Sequence, residues 1–287
     1  MPFNAAVTVI LNQSTARRVL YRNSPVVALF KTRSAKVANM IVPQLVAHRG
    51  YPRHYPENTL IGIEAAVSAG ARFVEVDVQI SRDRVPVLFH DRGLRRICDV
   101  NGRILDYRYA ELWALRASEQ GKFGNRFSDV HIPRLAELGH FLRHKPDVKA
   151  FIELKRASLD HFGVETMLSL VRASLKPALA QCILISYSLE ALLTARRQGW
   201  SEIGVVIDKW DERKQNLIAD IRPQYLFCDS EGLPRDGKIH VDDTKLVVFE
   251  VAEPRIALEL AARGVDFIET FAIGEMIQEL GRLATSS

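Results

Sequence analysis

Four stretches of the chain carry chemistry-bearing side chains at defined spacing. They are His48-Arg49 ending "QLVAHRG", Glu75 and Asp77 in "FVEVDVQI", His90-Asp91 ending "VPVLFHD", and Glu153 with Lys155 in "FIELK". Each is an apolar run ending in or interrupted by polar groups, the pattern of a buried strand. Glu75 and Asp77 are two apart, so on a strand both point to one face while Val74, Val76 and Val78 take the other. Glu153 and Lys155 repeat that spacing, with Ile152 and Leu154 outward. Carboxylates crowded on a buried face repel and are costly to desolvate unless a cation or base lies between them. Glu75, Asp77 and Glu153 make an all-oxygen set that suits Mg2+ or Ca2+ far better than Zn2+. His48 and His90 are of the type that performs general acid–base catalysis near neutral pH. Arg49 and Lys155 supply the positive charge that an anionic phosphoryl group requires. The combination points to metal-assisted phosphoester hydrolysis rather than hydride or acyl transfer. No Gly-rich dinucleotide or P-loop pattern is present. One inward carboxylate alone is as readily a buried ion pair with Arg49 or Lys155, and one histidine alone a structural residue. Convergence of all of them on one end is something folding does not require.

Such convergence needs a scaffold. From Ile41 onward an apolar run, a polar break, an amphipathic stretch and a glycine recur. "NTLIGIEAAVSAG" predicts a helix capped by Asn58 or Thr59, with Leu60, Ile63 and Val67 inward and Gly70 as its stop. "SLEALLTARRQG" repeats the design with Ser188 as cap, Leu189, Leu192 and Leu193 inward, and Gly199 as stop. "EPRIALELAARG" does so with Pro254 at the first helical position and Gly264 at the end. Nine strand-like runs occur, but "FVEVDVQI" and "VPVLFHD" are separated only by "SRDR", too short for a parallel crossover, so these two form an antiparallel hairpin. The return of that hairpin brings His90 to the end occupied by Glu75 and Asp77. Eight parallel strands alternating with helices predict an α/β fold, a (β/α)8 TIM barrel with a β-hairpin arm, spanning residues 41–287. A doubly wound open sheet is the competing architecture. A stretch of about 92–148, including "DVNGRILDYRYAELWAL" and "GKFGNRF", is too long for a simple loop and predicts a small insertion after the His90-Asp91 motif.

A chain of 287 residues that is 47% hydrophobic and 25% charged is ordinary for a globular protein. The net charge of +5 is concentrated at one end. Arg17, Arg18, Arg22, Lys31, Arg33 and Lys36 precede residue 41 and no acid precedes Glu57, so removing those six leaves the body at −1. That balance argues against a nucleic-acid partner. The basic leader, residues 1–40, is expected to be poorly ordered. It resembles an organellar transit peptide, and an alternative is that translation begins at Met40. No apolar stretch reaches the roughly 20 residues needed to span a bilayer. Cys98, Cys182 and Cys228 are few, odd in number and far apart, which fits a reducing compartment. The location expected is cytoplasmic, or organellar by import through the leader.

"AHRGYPRHYPENTL", "EVDVQISRDRVPVLFHD", "LRRICDVNGRILDY" and "FIELK" together resemble the glycerophosphodiester phosphodiesterase family, closely over residues 45–155 and weakly beyond. The resemblance implies a (β/α)8 barrel that hydrolyses glycerophosphodiesters to glycerol 3-phosphate and an alcohol, using Mg2+ or Ca2+. Carried over by position, His48 and His90 are the catalytic acid–base pair, and Glu75, Asp77 and Glu153 hold the metal. Arg49 contacts the phosphate and Lys155 sits beside it. Glu57 and Asn58 fall in the PENT motif and are expected to serve only the loop and the helix cap. Whether water attacks directly or the substrate's own 2-hydroxyl first forms a cyclic phosphate stays open, as does which histidine is acid and which base.

The chain departs from the family at Phe249-Glu250-Val251, at Glu269-Thr270 and at Arg134. Negative charge from Glu250 and Glu269 would favour a cationic head group such as choline or ethanolamine. Two further functions compete with the soluble diesterase. A lysophospholipase D would need an apolar entrance and peripheral membrane contact, with the leader as a dock. A non-catalytic glycerophosphodiester-binding module would keep the small-molecule ligand and lose the chemistry.

Overall fold

The computed structural model describes residues 41–285, and the leader lies outside the described residues. Nine strands are present there: β1 (Gln44–Ala47), β2 (Phe73–Ile80), β3 (Pro86–Leu88), β4 (Lys149–Leu154), β5 (Cys182–Ser186), β6 (Ile203–Ile207), β7 (Tyr225–Asp229), β8 (Lys245–Phe249) and β9 (Phe267–Thr270). Their order is β1-β9-β8-β7-β6-β5-β4-β2-β3, and pairing of β1 with β2 closes the sheet. Eight strands run parallel. β3 returns antiparallel on β2, with Val78 opposite Leu88 and Gln79 opposite Val87. The fold is the closed (β/α)8 barrel with its hairpin arm, and closure through β1 excludes the open sheet.

The helices of the described residues are α1 (Leu60–Ser68), α2 (Arg95–Cys98), α3 (Tyr109–Ala114), α4 (Gln120–Phe123), α5 (Leu135–Arg143), α6 (Arg156–Phe162), α7 (Val164–Leu175), α8 (Leu189–Arg197), α9 (Asn216–Ile221), α10 (Pro254–Arg263) and α11 (Ile273–Thr285). Thr59 caps α1 by accepting from Gly62 N, and Ser188 caps α8 by accepting from Ala191 N. Pro254 opens α10, and Gly264 closes it at φ 115°. The inward faces differ from the predicted leucine stripes. α1 buries Gly62, Ile63 and Ala66, and α8 buries Ala191, Leu192 and Ala195, with Leu60, Val67, Leu189 and Leu193 only half-buried. On each helix one large residue, Ile63 or Leu192, is buried fully together with small ones, and the other long side chains flank the contact.

Strand alternation sorts the apolar residues into two cores. Val74, Val76, Val78, Ile152 and Leu154 face outward into the layer shared with the helices. Phe151, Ile183, Ile185, Val206, Tyr225, Phe227, Val247 and Phe267 fill the interior. The Phe151 ring meets those of Tyr225 and Phe227 edge-on, each with centroids 5.0 Å apart. Gly204 makes room for this packing, since a Cβ there would lie 2.9 Å from Ile185 Cγ2 and 3.1 Å from Tyr225 Cβ. The plug gives the polar layer above it a closed, dry floor. Residues 92–148 divide on packing. α5 buries Leu135, Leu138 and Leu142 in the helix layer of the barrel, whereas Phe89, Leu94, Ile97, Ile104, Leu112 and Ile132 build a separate small core around α2 and α3. Among the described residues no helix is long and apolar enough to cross a membrane.

Phe151 is fully buried beneath the polar layer. Phe151→Ala is expected to lower unfolding free energy by about 3–5 kcal/mol in urea titrations. A loss under about 1 kcal/mol would contradict a close-packed plug.

Candidate active site

β1 ends at Ala47, and the next three residues turn sharply over the barrel mouth. His48 N donates to Thr270 O at 3.1 Å, so its ring starts from the ladder itself. The ring is buried, stacks on Phe271 with centroids 4.5 Å apart, and brings Nε2 within 3.7 Å of Glu75 Oε2. Arg49 is left-handed at φ 55°, a strained conformation that aims its N–H at Glu75 Oε2, 3.1 Å away. Gly50 follows at φ 88°, where a Cβ would lie 2.9 Å from the Gly62 backbone. Only glycine lets this turn pack onto α1.

Glu75 and Asp77 point inward from β2 and Glu153 from β4, where Asp77 pairs with Glu153 in register. Their compensation is unequal. Lys155 Nζ lies 3.1 Å from Asp77 Oδ1 and 2.9 Å from Glu153 Oε1. Arg49 Nε lies 3.1 Å from Asp77 Oδ2, an ion pair whose angle falls short of a hydrogen bond. Burial opposes ionisation of Asp77, but Arg49, then Lys155 and His90, together with the Asn58 hydrogen bond, hold it well below the usual carboxylate range. Among the described residues Glu75 pairs with no lysine or arginine side chain. Burial, then Asp77, Glu269 and Glu153, push it well above that range. Glu153 is also raised, by burial and then by Asp77. Burial first, and Arg49 next, lower His48 well below 6.5, so its ring is uncharged at neutral pH.

A second tier of side chains fixes the first. Asn58, left-handed at φ 55°, donates from Nδ2 to Asp77 Oδ2 at 2.8 Å and accepts from Asp77 N at 3.0 Å. This corrects the expected helix-cap role, because Thr59 is the cap and Asn58 is a two-point brace on Asp77. Glu57 is likewise more than a loop support. It takes two hydrogen bonds from Arg96, at 2.7 and 2.8 Å, and lies 3.3 Å from Arg49 Nη1. Arg96 also grips Asp91 from Nε and Nη2, at 2.7 and 2.8 Å. Asp91 in turn lies 2.8 Å from His90 Nδ1. Asp91 is held ionised by its hydrogen bonds to His90 and Arg96 despite partial burial, so it can only accept, and the His90 proton on that side sits on Nδ1. Gln79 Nε2 donates to the carbonyls of Phe89, His90 and Asp91 at 3.0, 3.2 and 2.7 Å, which anchors the histidine loop. Gln79 was legible, because it continues the inward alternation of Glu75 and Asp77. Arg96 carried no local signal, since its partners lie 39 and 5 residues away.

The residues singled out from sequence therefore gather at one barrel end. His48, Arg49, Glu75, Asp77, Glu153 and Lys155 form the floor, and His90 stands on the rim of a cleft that it shares with Glu153 and Lys155. Glu269 does not present negative charge to a head group. It is buried in the interior beside His48 and Glu75, and burial, then Glu153, raise it well above the carboxylate range. Glu250 is exposed and left-handed at φ 65°.

Oxygen atoms of Glu75, Asp77 and Glu153 lie within 4.8 Å of one another, close enough to hold one cation. Glu75 Oε1 is buried without a hydrogen-bond partner among the described residues. An orphaned carboxylate oxygen in an all-oxygen set with only two cationic side chains fits a hard divalent ion.

The sequence signature of the Glycerophosphoryl diester phosphodiesterase family matches residues 48–216, more than half of the chain. A Bacillus altitudinis glycerophosphodiester phosphodiesterase is 34% identical over 122 residues, 42% of this chain and 49% of that protein. Glycerophosphodiester phosphodiesterase 1 of Rattus norvegicus is 36% identical over 125 residues, 42% of this chain and 38% of that protein. The chain thus matches less than half the length of these two curated relatives. Among solved structures, a phosphodiesterase from Oleispira antarctica, in complex with the product sn-glycerol-3-phosphate, superposes with a TM-score of 0.70 at 25% identity. It covers 86% of this chain and 98% of its own.

Glu269 gives a pH dependence of defined sign. Its folded pKa is raised, so its contribution to stability is full below about 4.5 and is lost as pH rises toward the folded value. Between pH 5 and pH 8 in EDTA, Glu269→Gln is expected to lose less stability than the parent, measured from urea midpoints. Equal losses would show that Glu269 ionises freely in the fold.

Proposed function

The chain belongs to the glycerophosphoryl diester phosphodiesterase family, and on that premise we propose that it hydrolyses glycerophosphodiesters to glycerol 3-phosphate and an alcohol. The observation that carries the proposal is the meeting of Glu75, Asp77 and Glu153 within 4.8 Å, beside Arg49, Lys155 and two histidines in distinct environments. The name and the bound product of the Oleispira antarctica neighbour support the same chemistry.

In this mechanism Glu75, Asp77 and Glu153 hold one divalent cation, Mg2+ or Ca2+. When bound, it supplies Lewis-acid charge to the phosphoryl oxygens. Arg49 and Lys155, already fixed by their carboxylate partners, offer their remaining N–H groups to the phosphate and stabilise the charge that builds on it. His48 is uncharged because it is buried beside Arg49, which fits it to remove the proton of the attacking hydroxyl. His90, held through Nδ1 by Asp91, directs Nε2 at the cleft and protonates the departing oxygen. Asn58 keeps Asp77 oriented and denies it a second rotamer. Phe271, flat against His48, keeps water off one face of that ring. The cleft wall carries Gln79, Arg92, Arg156 and Asp208, which favours a water-soluble diester over a lysolipid. Three free cysteines, two of them buried, support a reducing compartment such as the cytoplasm.

Release of glycerol 3-phosphate from glycerophosphodiesters is expected with Mg2+ or Ca2+ and is expected to stop in EDTA. His48→Ala and His90→Ala should each lower kcat/KM by about 10^2–10^4-fold. Undiminished release in EDTA, or from both histidine variants, would rule the mechanism out. Asn58→Ala should weaken divalent-ion binding by about 10–100-fold in calorimetric titration. Unchanged affinity would make the brace on Asp77 irrelevant to the metal.

A further inference from the structure

The proposed mechanism leaves two cations unused. The cleft beside the carboxylates has a volume of about 190 Å³. At its inner end stand His90, Glu153 and Lys155, and its outer wall adds Arg92, Arg156, Tyr187 and Asp208. Arg92 follows the His90-Asp91 pair and Arg156 follows Lys155, so each sits one residue beyond a side chain assigned to the chemistry.

The charges on this wall do not balance. Lys155 and Glu153 satisfy each other at 2.9 Å. Arg156 lies over the Tyr187 ring, 5.2 Å from its centroid, which holds the guanidinium against the wall. Burial, then Glu153 and Asp208, push the Tyr187 hydroxyl up, so the one acid on the outer wall stands beside that phenol. Neither Arg92 nor Arg156 forms an ion pair with an acidic side chain among the described residues. Two guanidinium groups therefore face the outer cleft against one carboxylate.

A glycerophosphodiester has three parts that could meet them. The glycerol is uncharged, and the phosphate is already met by Arg49 and Lys155. That leaves the head group. Resting on the hydrolase reading above, we propose that Arg92 and Arg156 form a head-group subsite selecting diesters whose leaving alcohol carries a carboxylate or another anionic group. Guanidinium matches such groups in shape and charge, and a choline-like cation would be repelled. The preference is the reverse of that expected from Glu250 and Glu269, because Glu269 is buried away from the cleft.

Glycerophosphoserine and glycerophosphoethanolamine differ by a single carboxylate, so their kcat/KM ratio isolates the contact. The parent protein, loaded with Mg2+ or Ca2+, is expected to favour the serine diester by about tenfold. In the Arg92→Gln, Arg156→Gln double variant the ratio should fall close to one. A parent ratio of one or below overturns the subsite. So does a ratio that survives in the double variant, which would mean that the arginines only steer any phosphodiester toward the site. Release from neither diester by the metal-loaded parent overturns the hydrolase reading itself, and the subsite with it.

Discussion

Everything at this barrel mouth depends on the crowding of carboxylates on one dry face. Glu75, Asp77 and Glu153 are brought together by strand register above a floor of aromatic rings, with Glu75 and Asp77 buried and Glu153 at the edge of the cleft, so water screens them little. Like charges so placed are tolerable only with compensation. Arg49 and Lys155 provide it for Asp77 and Glu153 and leave Glu75 uncompensated. The site is therefore a set of anions short of positive charge, which is the electrostatic condition for retaining a hard cation and, beside it, a phosphate.

The scaffold around that set is built to limit its freedom. The left-handed Arg49 and the glycine after it turn the chain back so that a backbone N–H reaches Glu75. Asn58 grips both the carboxylate and the amide of Asp77, and Gln79 ties down the loop that carries His90. Arg96, from the insertion, joins Asp91 to Glu57 and so connects the two loops that flank the mouth. The insertion's separate apolar core gives that arginine a rigid base. The two histidines consequently occupy different surroundings, one buried and uncharged, the other at the rim against a carboxylate.

Alternation carried most of this in the sequence. The i, i+2 spacing of Glu75, Asp77 and Gln79, and of Glu153 and Lys155, encodes one inward face, and the short "SRDR" link forces the hairpin that returns His90. What the sequence did not disclose depends on long-range closure. That β9 lies beside β1, and so buries Glu269 next to His48, follows only from closing the barrel. Asn58 resembles a helix cap until its left-handed backbone turns it toward Asp77. Helix faces were legible as periodic, but which residue lies deepest depended on how closely each helix approaches the sheet.

The central claim is that Glu75, Asp77 and Glu153 together hold a divalent cation. Crystals soaked in Mn2+ and measured at its absorption edge test it most directly. The account predicts an anomalous peak bounded by the three carboxylates, absent from crystals of Glu75→Gln. A peak elsewhere, or none at saturating Mn2+, would contradict it.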